Sequence, residues 1–179
     1  MKSYIAACLL LNLSFVSCGI VSADETNGHQ RTDEEGFPYV NLEVVQDFAS
    51  LAMQARQSEK IIMLEVTASY CSYCGLLEEE IIKPMMRSGD YKETVLIRKL
   101  AMDSSATVKD FAGNATTPAG LAQQYKIKIT PTLLFLDADG NEVAGRILGV
   151  YSLDFFGAYV DAALAKGLQS IRENQALYQ

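Results

Sequence analysis

The 179-residue chain has few metal-ligating and basic residues: one histidine, four cysteines, and 15 lysines and arginines against 22 acidic residues. A formal charge of -7 excludes a nucleic-acid partner, because phosphate binding requires a basic surface. Zinc sites usually need four Cys or His ligands, and the single histidine is His29, in a polar N-terminal stretch. With 49% hydrophobic residues, the chain can bury the core of one globular domain without the help of disulfides.

The N-terminus has the pattern of a targeting segment. Lys2 supplies a positive start, residues 4–16 form an apolar run, and small residues follow. This run is too short for a permanent membrane span. Two endings fit the sequence: ordinary cleavage after Ala23, or a lipoprotein-type cleavage at "FVSC" that leaves Cys18 as a lipid anchor.

Either cleavage leaves Cys71 and Cys74 as the only thiols of the mature protein. We therefore predict a signal segment at 1–23, a flexible leader at 24–38 and a globular domain at 39–179. We therefore expect the protein to be periplasmic or otherwise exported, either free or anchored to a membrane by a lipid on Cys18. Disulfides form and persist in such compartments.

Apolar periodicity predicts an α/β protein with a mixed central sheet, helices on both faces and a late antiparallel hairpin. Ser104 to Gly120 contains a polar loop. In the helix that follows the cysteines, Leu76, Leu77, Ile81 and Ile82 mark the buried face, Glu78, Glu79 and Lys83 face water, and Pro84 kinks or ends the helix. The predicted strands are 61–66, 95–101, 132–136 and 142–148, and the predicted helices are 44–57, 74–84, 117–125 and 152–172.

The spacing "CSYC" at Cys71 and Cys74 admits three interpretations: half of a metal site, a small structural disulfide, or a redox-active pair. A zinc site lacks further ligands in this sequence, and a disulfide that closes so small a loop restricts the unfolded chain little. The redox interpretation gains from position, because Cys71 lies where a strand ends and a helix begins. A helix N-terminus stabilises a thiolate, which is the attacking species in disulfide exchange.

The strand, the Cys-x-x-Cys pair, the helix and the later "TPT" at residues 130–132 occur in the order typical of the thioredoxin superfamily. The resemblance covers roughly residues 44–172. The stretches "ASYCSYCGLLEEEIIKPMMRSGDY" and "VLIRKLAMD" are most similar to exported bacterial thioredoxins of the sulfur-oxidation-associated (SoxW-like) kind. The resemblance implies a thioredoxin-like fold with no bound cofactor and no metal.

The resemblance also implies roles for single residues. Glu65 matches the buried acid that moves the proton of the second cysteine, and Lys99 matches the lysine near that acid. Pro131 matches the cis-proline beside the pair, and Thr130 precedes it at the substrate-binding surface. Tyr70 stands where thioredoxins usually carry tryptophan, and the dipeptide Ser72-Tyr73 replaces their Gly-Pro; we assign these three residues to substrate binding.

These observations predict an exported thiol–disulfide oxidoreductase that reduces or isomerises protein disulfides. Cys71 attacks, Cys74 resolves, and a membrane thiol reductase supplies the electrons. The dipeptide lacks the histidine that strongly oxidising relatives often carry, so the resemblance favours reduction over disulfide formation. The alternatives are a binding module or metal or sulfur carrier that uses the dithiol as a ligand pair, and a dithiol oxidant in the same fold.

Overall fold

The computed structural model describes Thr32 and residues 36–176. The predicted signal segment, its Cys18 and the leader histidine His29 lie outside the described residues. Within the described residues, no helix has both the length and the apolar character needed to cross a membrane.

The fold is an α/β sandwich around a mixed sheet. Its strands are β1 (Ile61–Thr67), β2 (Val95–Ala101), β3 (Val108–Lys109), β4 (Ala115–Thr116), β5 (Thr132–Leu136) and β6 (Ile147–Leu148). Its helices are α1 (Phe48–Ser58), α2 (Ser72–Leu77), α3 (Lys83–Ser88), α4 (Pro118–Gln124) and α5 (Phe156–Ala176), with a π-helical turn at Glu78–Ile82.

The central sheet has the strand order β2-β1-β5-β6. Strand β1 pairs in parallel with β2 and antiparallel with β5, and β5 pairs antiparallel with β6. All seven residues of β1 are buried, because the strand is central in the sheet and helices cover both of its faces. The predicted mixed sheet, with helices on both faces and a late antiparallel hairpin, is confirmed.

Alternate residues of β1 enter two separate cores. Ile61 and Met63 pack with Leu77 of α2, with Ile82 and with the apolar face of α5. On the opposite face, apolar residues of β1 and β5 pack against α1 and α4. This second core contains Ile62, Leu64 and Val66 of β1, Phe48, Leu51 and Ala55 of α1, and Leu121 and Ala122 of α4. Glu65 continues the alternation of Ile61 and Met63, so it belongs to the face that α2 covers.

The prediction allowed Pro84 either to kink the helix after the cysteines or to end it. The helix does not end there. Helix α2, the π-helical turn and α3 follow one another without a break from Ser72 to Ser88. The π-helical turn precedes Pro84, which occupies the first turn of α3, where a missing N–H costs least. One continuous helix therefore begins directly after Cys71 and carries Cys74 and the residues that follow it.

The hairpin of β5 and β6 is shorter than predicted. Leu136 opposes Glu142 in an isolated bridge, and Thr132 and Leu133 pair with Leu148 and Ile147. Between these pairings the chain on the β6 side has two more residues than the chain on the β5 side, so the ladder is interrupted between Glu142 and Ile147. The polar stretch predicted as a loop contains the two-stranded pair β3 and β4, which the sequence analysis missed.

Two helices begin later than predicted. Helix α1 begins at Phe48 because the Asp47 side chain accepts a hydrogen bond from the Ser50 amide (2.9 Å) and caps it. The preceding residues run along β2 instead, where Val45 N–H donates to the carbonyl of Lys99 (2.9 Å). Helix α5 begins at Phe156, four residues after the predicted cap at Ser152.

Candidate active site

The strand-to-helix turn after β1 holds the cysteine pair. Cys71 occupies the N-cap position of α2 with extended backbone angles, and its amide donates to the carbonyl of Ala68 (3.0 Å). One residue before Tyr70, the amide and hydroxyl of Ser69 both donate to one carboxylate oxygen of Asp103 (2.9 and 2.5 Å). These bonds fix the turn to the chain that leaves β2.

Cys71 and Cys74 are joined as a disulfide with a Cα–Cα distance of 5.4 Å. Cys71 is half-buried, whereas Cys74 is 2% exposed. An incoming thiolate therefore reaches the sulfur of Cys71 more readily than that of Cys74. When the bond is open, the free N–H groups and the dipole of the helix N-terminus favour a thiolate at Cys71.

Glu65 is a fully buried carboxyl group on β1, six residues before Cys71, on the sheet face that the helix of the pair covers. Neither of its carboxyl oxygens has a hydrogen-bond partner among the described residues. Burial, with a smaller contribution from the negative charge of Glu78, raises the pKa of Glu65 to about 8, although the positive charge of Lys99 opposes this. Glu65 is thus buried, as the resemblance implies, and holds a proton at neutral pH.

Lys99 lies directly opposite Glu65 in the parallel pairing of β1 with β2. Its ammonium group donates to both carboxylate oxygens of Glu78, at 2.8 and 3.0 Å. The prediction that Glu78 faces water is wrong: its side chain is 16% exposed and that of Lys99 is 20% exposed, because the two cover each other. Lys99 is therefore near the buried acid in register but is hydrogen-bonded to a different carboxylate.

The other polar residues predicted to face water differ from one another. Glu79 is exposed and forms an ion pair with Lys83, whose side chain is partly covered. On the predicted apolar face, Leu77 and Ile82 are buried, whereas Leu76 is 40% exposed.

Pro131 lies at the end of the central strands where the cysteine pair is also found. Val66 pairs with Thr132 in the antiparallel register, so Pro131 lies level with the end of β1, from which the chain passes to the pair. The Thr130–Pro131 peptide bond is cis. The carbonyl of Pro131 accepts a hydrogen bond from the amide of Gly149 (2.8 Å), which attaches the loop after β6 to this edge.

Aromatic side chains surround the pair at the surface. Tyr70 is 75% exposed, Tyr73 is 58% exposed, and Ser72 between the cysteines is exposed as well. Thr130 is half-buried. Exposed aromatic side chains next to an accessible sulfur offer contact area to a protein chain.

This arrangement is suited to thiol–disulfide exchange: an accessible sulfur at a helix start, a sheltered second sulfur, and a buried acid with a raised pKa. Among the described residues, no group of three or more His, Cys, Asp or Glu side chains is placed to hold a metal ion.

Sequence reasoning missed two residues of this site. Glu78 follows the buried Cys74 by four residues, and that helical spacing places both on one face, which is the signal that could have found it. Asp103 carries no local signal, because its partner Ser69 lies 34 residues away in the sequence.

Comparison with known proteins agrees with this geometry. A family model described as a thioredoxin-like domain matches residues 48–164. The chain is 26% identical over 127 residues to the thiol:disulfide interchange protein DsbD of Yersinia enterocolitica, a match that covers 70% of this chain and 20% of that protein. It is 27% identical over 120 residues to DsbD of Yersinia pestis, covering 66% of this chain and 18% of that protein. The chain thus spans about a fifth of the length of the curated relatives it matches.

Two solved structures share the fold. The DsbH oxidoreductase superimposes with a TM-score of 0.53 at 19% identity, covering 79% of this chain and 92% of that one. The thioredoxin of Malassezia sympodialis gives a TM-score of 0.50 at 16% identity, covering 73% of this chain and 96% of that one. Because the family model matches more than half of the chain, this protein belongs to the thioredoxin-like domain family.

Proposed function

We propose that this protein is an exported thiol–disulfide oxidoreductase that reduces or isomerises disulfides of other proteins. The observation that carries the proposal is the disulfide between an accessible Cys71 at a helix start and a buried Cys74. Family membership and the relatives named as thiol:disulfide interchange proteins support this class of reaction. We include in the proposal the narrower resemblance to exported SoxW-like thioredoxins.

The reaction begins with the reduced pair. The Cys71 thiolate attacks a substrate disulfide, forms a mixed disulfide and expels one substrate thiolate. Cys74 then loses its proton and attacks the Cys71 sulfur, which releases the second substrate thiolate. Two electrons pass to the substrate, and the Cys71–Cys74 disulfide remains.

Glu65 is proposed to exchange a proton with Cys74. The carboxyl group is buried and has no hydrogen-bond partner among the described residues, so its proton is not held by another group. Its pKa, raised to about 8 by burial, is close to that of an ordinary thiol. Matched pKa values favour proton transfer in either direction at neutral pH.

The substrate is proposed to bind as an extended segment along the main chain of Thr130, next to Pro131. Tyr70, Ser72 and Tyr73 would contact the same segment, because all three are exposed around the pair. This arrangement would hold the target sulfur in line with Cys71.

The direction of electron flow is part of the proposal. The dipeptide Ser72-Tyr73 contains no histidine to stabilise a reduced thiolate, which favours a reductant or isomerase over an oxidant. The oxidised pair must then be reduced again, and we propose a membrane thiol reductase as the donor.

The compartment is proposed from the N-terminal sequence. We propose that residues 1–23 direct export, that 24–38 are a leader, and that 39–179 form the catalytic domain. The intact mass of the mature protein tests this: a chain that starts at Asp24 indicates a free exported protein, and a diacylglyceryl Cys18 indicates a lipid-anchored one. Recovery of the uncleaved chain from the cytosol would contradict both forms.

Insulin reduction with dithiothreitol as the donor, together with the redox potential of the pair, tests the activity. We expect the protein to accelerate insulin precipitation and the potential to lie in the reducing range of thioredoxins. An oxidising potential with efficient oxidation of reduced substrates would establish the oxidant instead. A tightly bound metal in the purified protein, with no insulin reduction, would establish the carrier or binding module.

A further inference from the structure

Three ionisable side chains lie close together on the sheet face that α2 and the π-helical turn cover. Glu65 comes from β1, Lys99 from the position opposite it on β2, and Glu78 from the π-helical turn above them. Neighbouring strands of a sheet lie about 4.8 Å apart, so Lys99 is well placed to pair with Glu65. On the other side of Glu65 the register neighbour is Leu133 of β5, which is apolar.

Lys99 bonds to Glu78 instead. Both oxygens of the Glu78 carboxylate accept from the ammonium group, at 2.8 and 3.0 Å, and both side chains are largely shielded from water. Glu65 is left with two buried oxygens and no hydrogen-bond partner among the described residues. The charge of Lys99 thus acts on both carboxyl groups, but its ammonium group is hydrogen-bonded to Glu78, the more exposed of the two.

We propose that Glu78 is a positioning residue that holds the Lys99 ammonium away from Glu65 and so keeps the buried carboxyl protonated while the cysteines are joined as a disulfide. An isolated buried carboxylate is costly, and a hydrogen-bonded cation would remove much of that cost. Burial is the main cause that raises the pKa of Glu65, and among the described residues the charges that act on it are those of Glu78, which raises the pKa, and Lys99, which lowers it. The packed elements β5 and α5 contribute apolar side chains to this core.

The consequence, which rests on the proposed function, concerns re-reduction of the pair. A thiolate of a dithiol reductant attacks the Cys71 sulfur, the Cys71–Cys74 bond breaks, and its electron pair goes to the Cys74 sulfur. The Glu65 carboxyl gives its proton to that leaving thiolate. The second thiolate of the reductant then displaces Cys71, so the reductant leaves as a disulfide and the pair is reduced by two electrons. Glu78 acts only through Lys99 and Glu65.

Two substitutions should move the titration of Glu65 in opposite directions. Glu78→Gln removes one negative charge and frees Lys99 to pair with Glu65, so the ratio of ionised to protonated Glu65 at neutral pH should rise about tenfold or more. Lys99→Met removes the cation and should lower that ratio. A purely structural role would give no such opposition.

The test is a carboxyl carbon-13 NMR titration of the oxidised protein, with Glu65→Gln identifying the resonance. Glu79→Gln is the matched control, because Glu79 lies next to Glu78, is exposed and pairs with Lys83 rather than Lys99. We expect the midpoint to fall in Glu78→Gln, to rise in Lys99→Met and to stay in place in Glu79→Gln. An unmoved midpoint in Glu78→Gln, or shifts of one sign in both variants, would overturn the proposal.

A second, kinetic test measures the rate at which dithiothreitol re-reduces the disulfide as a function of pH, on both sides of the NMR midpoint. The pH at which the rate declines should follow the NMR midpoint in each variant, and a rate profile that ignores Glu78→Gln would overturn the proton-donor step. Because the NMR titration needs no activity, it separates this proposal from the proposed function. Shifted titrations in a protein that fails to reduce insulin would support the positioning role and remove the reductase assignment.

Discussion

Replacing Glu65 by glutamine should change how the stability of the oxidised protein depends on pH. The ordinary pKa of the group is 4.5, and burial raises it to about 8 in the folded protein. Between these values the folded state keeps a proton that the unfolded chain releases, so stability decreases as the pH rises. Below pH 4.5 the carboxyl is protonated in both states, and above about pH 8 the folded protein bears the full cost of a buried carboxylate.

The size of the effect follows from linkage. Each pH unit inside this window costs about 1.4 kcal/mol, so roughly 2 to 3 kcal/mol should be lost between about pH 5 and pH 7. Glu65→Gln cannot ionise and should lack this loss, whereas the titration of other groups is common to both proteins. A buried glutamine adds an offset that does not depend on pH, so the pH dependence of the difference is the quantity to compare.

The assay is urea unfolding of both oxidised proteins at several pH values across this range. We expect the free energy of unfolding of Glu65→Gln, relative to the unaltered protein, to increase steadily with pH and to level off above the folded pKa. A difference that stays constant with pH would refute the assignment of Glu65 as a buried, protonated acid.

Two other changes test the turn after β5 and the turn that holds the cysteine pair. Gly140→Ala should destabilise the protein by about 1 to 3 kcal/mol, because φ is +81° and a new Cβ would lie 2.8 Å from the ring of Phe111; Gly145→Ala, with open space around it, is the control for thermal unfolding. Asp103→Ala should slow insulin reduction while the protein stays folded, because it removes both hydrogen bonds that Ser69 donates to Asp103. An unchanged rate would mean that these bonds do not position the turn.

The central strands could be predicted closely from the sequence. The apolar runs at 61–66, 95–101 and 132–136 agree with β1, β2 and β5 to within one residue. Such strands are buried in the middle of the fold, where continuous hydrophobicity leaves little choice of structure. The cap and first turn of α4 could also be predicted, because a threonine followed by a proline is typical of a helix start. In the structure the Thr117 side chain accepts a hydrogen bond from the Gly120 amide.

The errors arose where distant parts of the chain decide the structure. Val44 and Val45 fit the helical spacing of α1, but the chain there bonds to the edge of β2, which local periodicity does not reveal. Glu78 belongs to a run of acids that is typical of a solvated helix face. Its partner Lys99 lies 21 residues away, so only the packing of the helix on the sheet brings the two together.

The central claim is that Cys71 attacks substrate disulfides and Cys74 resolves them. The most direct measurement is the trapping of mixed disulfides by Cys74→Ser and Cys71→Ser in an oxidising extract. Cys74→Ser should accumulate adducts with other proteins that dithiothreitol releases, because no second thiol remains to resolve them, and Cys71→Ser should trap almost nothing because Cys74 is buried. Equal trapping by both variants, or none by either, would contradict the assigned roles.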